Sequence, residues 1–275
     1  MGAALFEGAM SASHPIVLAL DFDGVVCDGL REYFQTAWRA YCQIWQPDNL
    51  SPSEDLSPKF YRLRPVVETG WEMPILIRAL VLGIEEREIL QDWALISAQI
   101  ITEEALDAAS VSTIVDEIRD RWIATDIDGW LGEHRFYPGV IERLREGLAS
   151  STYCVIISTK EGRFIKQLLQ QQGITLSDQQ VYGKEVKRPK YQILKELNAE
   201  YGEATSIWFV EDRLKTLETV KKQPDLKNVT LFLADWGYNT IADRALVSED
   251  DRIRLLSLEQ FAQDFATWDS QSKNC

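Results

Sequence analysis

The sequence predicts an α/β protein: a parallel-sheet core interrupted by an all-helical insert. Three observations carry this expectation. A short apolar run in HPIVLALDFDGVV ends in an acidic cluster, residues from about 30 to 134 show only helical spacing, and strand-sized apolar runs alternate with helix-sized segments after Phe136. The first run, Ile16 to Leu20, has no polar alternation, as suits a parallel strand covered on both faces. Leu30, Tyr33, Phe34, Ala37, Trp38, Tyr41, Ile44 and Trp45 then recur at steps of three and four, the pattern of an amphipathic helix. Pro47, Pro52, Pro58 and Pro65 break the next stretch, which reads as a turn-rich connection. Helical patterning resumes over 74–82, 85–101 and 111–123. Past Phe136, apolar runs at 153–158, 180–182, 206–210 and 229–234 alternate with helical segments at 163–172, 190–201 and 213–222, the pattern of crossover units in a parallel sheet. The lone strand at 16–20 needs that later sheet as its partner. The expected organisation is therefore a leader at 1–14, a core from 15–29 and 135–275, and a helical cap at 30–134.

Composition narrows the function. At 275 residues, the chain has room for one large or two ordinary domains, and 45% hydrophobic content supplies a packed core. With 29 basic and 43 acidic residues the net charge is −14, which repels nucleic acid backbones and anionic membrane surfaces, so neither is an expected partner. No apolar run approaches the roughly 20 residues of a bilayer crossing. The opening MGAALFEGAMSAS lacks the basic start and apolar stretch of a secretory signal, and the expected location is the cytoplasm. Four widely separated cysteines with no C-x-x-C pair read as reduced thiols, and two histidines leave little for a histidine-based hydrolase or metal site. Carboxylates and lysines are left to carry any chemistry.

The acids sit where such chemistry is expected. Asp21 and Asp23, in DFDGVVCD, leave the first buried strand, and ligand crevices in parallel sheets lie beyond the carboxyl ends of strands. Two carboxylates so placed need a counter-charge, which a divalent cation supplies. Ser158, Thr159 and Lys160 follow the second run and offer hydroxyls and N–H groups at a helix mouth, a cradle for an anion. Lys187 and Lys190 flank Arg188 and Pro189 past the third run, with Pro189 suited to a first helical position. Glu211 and Asp212 end the fourth.

This ordered set resembles the haloacid dehalogenase superfamily of aspartyl phosphotransferases, in particular its members similar to phosphoglycolate phosphatase and β-phosphoglucomutase, with a helical cap inserted after the first motif. The resemblance implies a Rossmann-like core, with Asp21 as nucleophile and Asp23 as general acid and base. It implies phosphate binding by Ser158, with Thr159 beside it, and by a motif lysine that is Lys187 on one spacing and Lys190 on another. It further implies Mg²⁺ held by Asp21, the Asp23 main chain and Asp212, with Glu211 as a possible second acid of the fourth motif. FYPGVIERLREGL at 136–148 and ADWGYN at 234–239 are similar to flanking segments of the superfamily, whereas Thr216 stands where many relatives carry another Asp. The implied activity is a Mg²⁺-dependent phosphatase acting on a small phosphorylated metabolite through an aspartyl phosphate. A sugar-phosphate mutase, suggested by the Glu211–Asp212 pair, and a non-enzymatic interaction protein on the same scaffold are the alternatives. In the insert, one of Lys59, Arg62 and Arg64 is a candidate contact for a second anionic group, against a solvated basic loop. Trp71 is a candidate cleft residue, against helix-packing core, and Cys27 reads as a buried small hydrophobe near the nucleophile.

Overall fold

Val17–Leu20 (β1) is wholly buried because helices cover both faces of its sheet. Leu18 and Leu20 pack with Ile156, Trp208 and Phe232 on one face, and Val17 and Ala19 with Val155, Phe209 and Leu231 on the other. The computed structural model describes residues 14–202 and 205–268; apart from His14, the expected leader lies outside the described residues. Among them no helix is long and apolar enough to cross a membrane.

The remaining strands, in chain order, are Cys27–Asp28 (β2), Arg135–Phe136 (β3), Tyr153–Ile157 (β4), Val181–Tyr182 (β5), Ile207–Glu211 (β6), Thr230–Ala234 (β7) and Ile253–Leu256 (β8). Five of these strands join β1 in one parallel sheet in the order β5-β4-β1-β6-β7-β8. From β1 the chain builds outward through β4 and β5, then restarts on the other side at β6. The carboxyl ends of β4, β1 and β6 therefore open side by side at the point where strand order reverses, the place where parallel sheets bind ligands.

Between β2 and β3 the chain forms Leu30–Trp45 (α1), Leu56–Leu63 (α2), Glu72–Val81 (α3), Glu86–Glu103 (α4), Ala108–Thr125 (α5) and Ile127–Leu131 (α6). The first five of these helices share a buried cluster of their own, built on Phe34, Phe60, Ile75, Leu76 and Trp93, whereas Trp130 and Leu131 of α6 pack into the core cluster. The two-residue strands β2 and β3 pair antiparallel, Cys27 opposite Phe136, and tie together the exit and return of the chain. The core helices are Val140–Ala149 (α7), Gly162–Gln171 (α8), Lys190–Tyr201 (α9), Leu214–Lys221 (α10), Ile241–Ser248 (α11) and Leu258–Phe261 (α12).

Three local expectations change. The stretch expected to be turns contains α2, because Pro58 falls in its first turn, where a helix does not need the missing N–H. Pro189 caps α9 rather than opening it, with an extended ψ of 148°. The edge strand β8 carries Arg254 and has two exposed residues of four, so it lacks the apolar run that marks the other strands.

Candidate active site

Asp21 leaves β1 with its N–H donating to Val210 O on β6 at 2.9 Å, which fixes the residue at the mouth between the two strands. One carboxylate oxygen, Oδ1, accepts the Phe22 N–H at 2.7 Å. The other, Oδ2, lies 2.8 Å from Nζ of Lys190, and the same ammonium lies 2.7 Å from Glu211 Oε2. Lys190 is the first residue of α9, so the helix start aims this side chain back under the strand ends. Glu211, fully buried, also accepts the N–H groups of Asp212 and Arg213 on Oε1 at 3.1 and 3.0 Å. Asp212 Oδ2 accepts the Tyr238 N–H at 2.8 Å, and the Asn239 amide donates to the Asp212 carbonyl at 3.0 Å.

Two of the three acids, Asp21 and Glu211, share one lysine. Burial, reinforced by Glu211 and opposed by Lys190, pushes the Asp21 carboxyl up to about 7. Burial also raises Glu211 and Asp212. Burial alone would lower the proton affinity of Lys190, but Asp21 and Glu211 outweigh it and hold the ammonium above its usual range. Asp21, Glu211 and Asp212 each offer an oxygen within 4.8 Å of the others, and among the described residues no lysine or arginine forms an ion pair with Asp212. An oxygen-only donor set with surplus negative charge fits a hard divalent cation. Glu211 belongs to this set. Both of its oxygens are already engaged, one by Lys190 and one by two backbone N–H groups, so its observed contacts are those of an anchor for the lysine.

Around these groups lies a cleft of about 300 Å³, lined by Asp21, Asp212, Lys190 and Thr216 from the core and by Tyr33 and Arg64 from the insert. A second cavity of about 270 Å³ adjoins it on the insert side. Asp23 lines both, whereas Asp21 lines only the first. Ser158 is buried at the end of β4, and its Oγ accepts the Lys160 N–H at 3.3 Å; Thr159 is exposed and lines both cavities. Of the two candidate lysines only Lys190 reaches the acids. Lys187 is exposed, ends a short 3-10 turn with φ of 53°, and lines neither cavity.

No family model and no curated protein matches the chain. Solved structures do match across most of its length. A predicted phosphoglycolate phosphatase from Haemophilus somnus aligns with a TM-score of 0.55 at 14% identity, over 94% of this chain and 97% of that one. A haloacid dehalogenase-like family hydrolase from Streptococcus pneumoniae aligns at 0.52 and 15% identity, over 88% and 94%. The chain has the haloacid dehalogenase-like fold. A predicted phosphatase from Clostridium acetobutylicum shares that fold at a TM-score of 0.52 and 13% identity, again over 88% and 94%.

On this haloacid dehalogenase-like scaffold, several contacts around the cleft escape sequence reasoning, and the structure separates Arg64 from the other two basic candidates of the insert. Lys160 Nζ stands 3.2 and 3.3 Å from the two oxygens of Asp23, a pairing across 137 positions that no spacing announces. Arg64 reaches the cleft, its guanidinium 4.9 Å from the ring centres of both Tyr33 and Tyr238, while Lys59 and Arg62 turn outward to Asp55 and Glu86. Arg213, beside Asp212, crosses to the insert, donating to Val67 O at 2.9 Å and pairing with Glu68 at 3.0 Å. Trp71 packs against the insert core and lines neither cavity. Cys27 is buried, and burial raises its thiol pKa far above the usual range, which makes it a poor nucleophile.

Proposed function

We propose that the protein is a Mg²⁺-dependent phosphatase that hydrolyses a small phosphorylated metabolite through an aspartyl phosphate on Asp21. The observation that carries this reading is the position of Asp21: a carboxylate at the switch point of the sheet, held by Lys190 at 2.8 Å, beside Asp212 and open to a cleft. The nearby acids and the raised Asp21 pKa argue for a cation in the working enzyme, with Asp21, Asp212 and the Asp23 main-chain carbonyl as its holders. When bound, the cation supplies charge neutralisation between an anionic nucleophile and an anionic phosphoryl group.

The residues of this chain then divide the work. Asp21 attacks phosphorus, the bond to the leaving oxygen breaks, and the aspartyl ester splits one difficult hydrolysis into two displacements. Lys190 orients the attacking carboxylate and, with the Ser158 hydroxyl, faces charge on the transferred phosphoryl oxygens. Asp23, at the junction of the two cavities, gives its proton to the leaving oxygen and then takes one from the water that cleaves the ester. The insert, tied down by Arg213 at Val67, keeps bulk water from the first step. Glu211 serves as counter-charge to Lys190.

A phosphate-release screen over two-carbon, three-carbon, sugar and nucleoside monophosphates tests the reading. Turnover that needs added Mg²⁺ and is abolished in Asp21→Asn is the expected result. Full turnover in that variant would reject it.

A further inference from the structure

The second cavity assigns a partner to Asp23. Lys160 lines this cavity and not the first, and its side chain is only 9% exposed. An ammonium carries three N–H donors. Two face the Asp23 oxygens at 3.2 and 3.3 Å, and the Trp130 ring, centred 5.3 Å from Nζ, accepts the positive charge on its face without taking a full hydrogen bond. The ring is itself fixed: Trp130 Nε1 donates to Glu32 at 3.2 Å, and Arg119 holds Glu32 at 2.7 Å. Lys160 is therefore a buried cation held from two sides at the junction where Asp23 meets the second cavity, and among the described residues one of its N–H groups has no protein acceptor.

We propose that Lys160 is a leaving-group residue: it positions the Asp23 carboxyl and directs its remaining N–H to the oxygen that departs from phosphorus. The inference rests on the phosphatase reading. In the first displacement the Asp21–phosphorus bond forms and the phosphorus–oxygen bond of the substrate breaks. Its electron pair goes to the departing oxygen, and the proton of Asp23 follows. Two negative charges thus arise next to Lys160, one transiently on the oxygen and one on the Asp23 carboxylate, and the ammonium stabilises both. Lys190 contacts Asp21 and Glu211 and serves the nucleophile and the transferred group, whereas Lys160 contacts Asp23 and serves the departing oxygen.

The test uses the full chain with 4-nitrophenyl, phenyl and 4-methoxyphenyl phosphate, which differ little in size but strongly in leaving-group basicity. A nitrophenolate leaves without help, whereas the other two need a positioned proton and charge. In Lys160→Met, kcat/KM, which reports only the steps through departure of the leaving group and not the shared hydrolysis of the ester, should fall a few-fold with 4-nitrophenyl phosphate and by about a hundredfold with 4-methoxyphenyl phosphate, within the range of general-acid catalysis. Lys160→Arg should recover most of the second loss. An equal fall across all three substrates, or no fall in any, overturns the proposal and leaves Asp21 chemistry standing. Wild-type protein that releases no phosphate from any of the three, with Mg²⁺ present, rejects the phosphatase reading and this inference with it.

Discussion

Gly24 and Asp212 approach so closely that residue 24 has no room for a side chain. A β-carbon there would collide with the Asp212 carboxylate, and φ at Gly24 is +87°, a conformation that side chains resist. The turn after Asp23 thus brings backbone against the acid at the end of β6, which is how two distant segments form one site. Gly24→Ala is expected to cost about 1 to 2 kcal/mol from backbone strain alone and to displace Asp212. Circular-dichroism melts and Mg²⁺-dependent turnover check it: near-normal activity in this variant would show that the contact does not position Asp212.

Lys190 neutralises two buried acids, so its removal is expected to be costly for the fold as well as for the chemistry. Lys190→Met leaves Glu211 buried without a counter-charge, and breaking a buried pair in this way destabilises by about 3 to 5 kcal/mol. Adding Glu211→Gln should return part of that stability without returning turnover. Urea titration of the single and double variants measures the coupling, and additive losses would contradict it.

His134 gives the stability a defined pH dependence. Burial, aided by Lys160, lowers its pKa to about 4 in the fold, against 6.5 for an ordinary imidazole. Between those values the unfolded chain binds more protons than the folded one, so this residue removes stability as pH falls from 6.5 to 4. The full effect is about 3 kcal/mol. Asp21, raised to about 7, works in the opposite direction: its protonated form is the one the metal-free fold favours, and its contribution is lost as pH rises through 7. Subtracting the His134→Asn stability curve from that of wild type isolates the histidine. The wild-type advantage should shrink steadily below pH 6.5, and a pH-independent difference would contradict the assignment.

The same raised carboxyl sets how metal should act. Asp21 must be unprotonated to hold a cation, so Mg²⁺ should raise the melting temperature more at pH 8 than at pH 5.5. Differential scanning fluorimetry with and without chelator reads this directly. An equal or larger shift at pH 5.5 would count against a metal at Asp21.

Arg213 links the core to the insert through Val67 O and Glu68. Glu68 is half exposed, so its ion pair contributes at most about 1 kcal/mol, and Glu68→Gln should be nearly silent. Arg213→Ala, which also removes the carbonyl contact, should speed amide exchange around residues 64–70. Unchanged exchange there would mean that the insert is held elsewhere.

Much of this molecule was legible in its residues because the signals were local. The uninterrupted apolar runs of β1, β4 and β6 announced a parallel sheet, and acids or hydroxyls directly after each run announced its ligand edge. The strand β8 was hidden because an edge strand with Arg254 outward has no such run, and α2 because Pro58 reads as a breaker unless its place in the first turn is known. The choice between Lys187 and Lys190 could not be made from spacing: only Arg188 and Pro189 stand between them, and only the direction in which α9 starts decides which one reaches Asp21. The Asp23–Lys160 pair and the engagement of Glu211 with Lys190 were illegible for the same reason. The first joins the ends of the neighbouring strands β1 and β4 and the second joins the end of β6 to the start of α9, and sequence records which residues stand there but not which of them meet.

The most direct measurement traps the reaction intermediate. Protein mixed with a turned-over monophosphate and Mg²⁺, quenched in acid and digested with pepsin, is mapped by mass spectrometry for an added phosphoryl group. The account predicts that the group lies on the peptide containing Asp21, resolves to that residue on fragmentation, and is lost in Asp21→Asn. Phosphoryl label on another residue, or phosphate release that persists in Asp21→Asn, would contradict it.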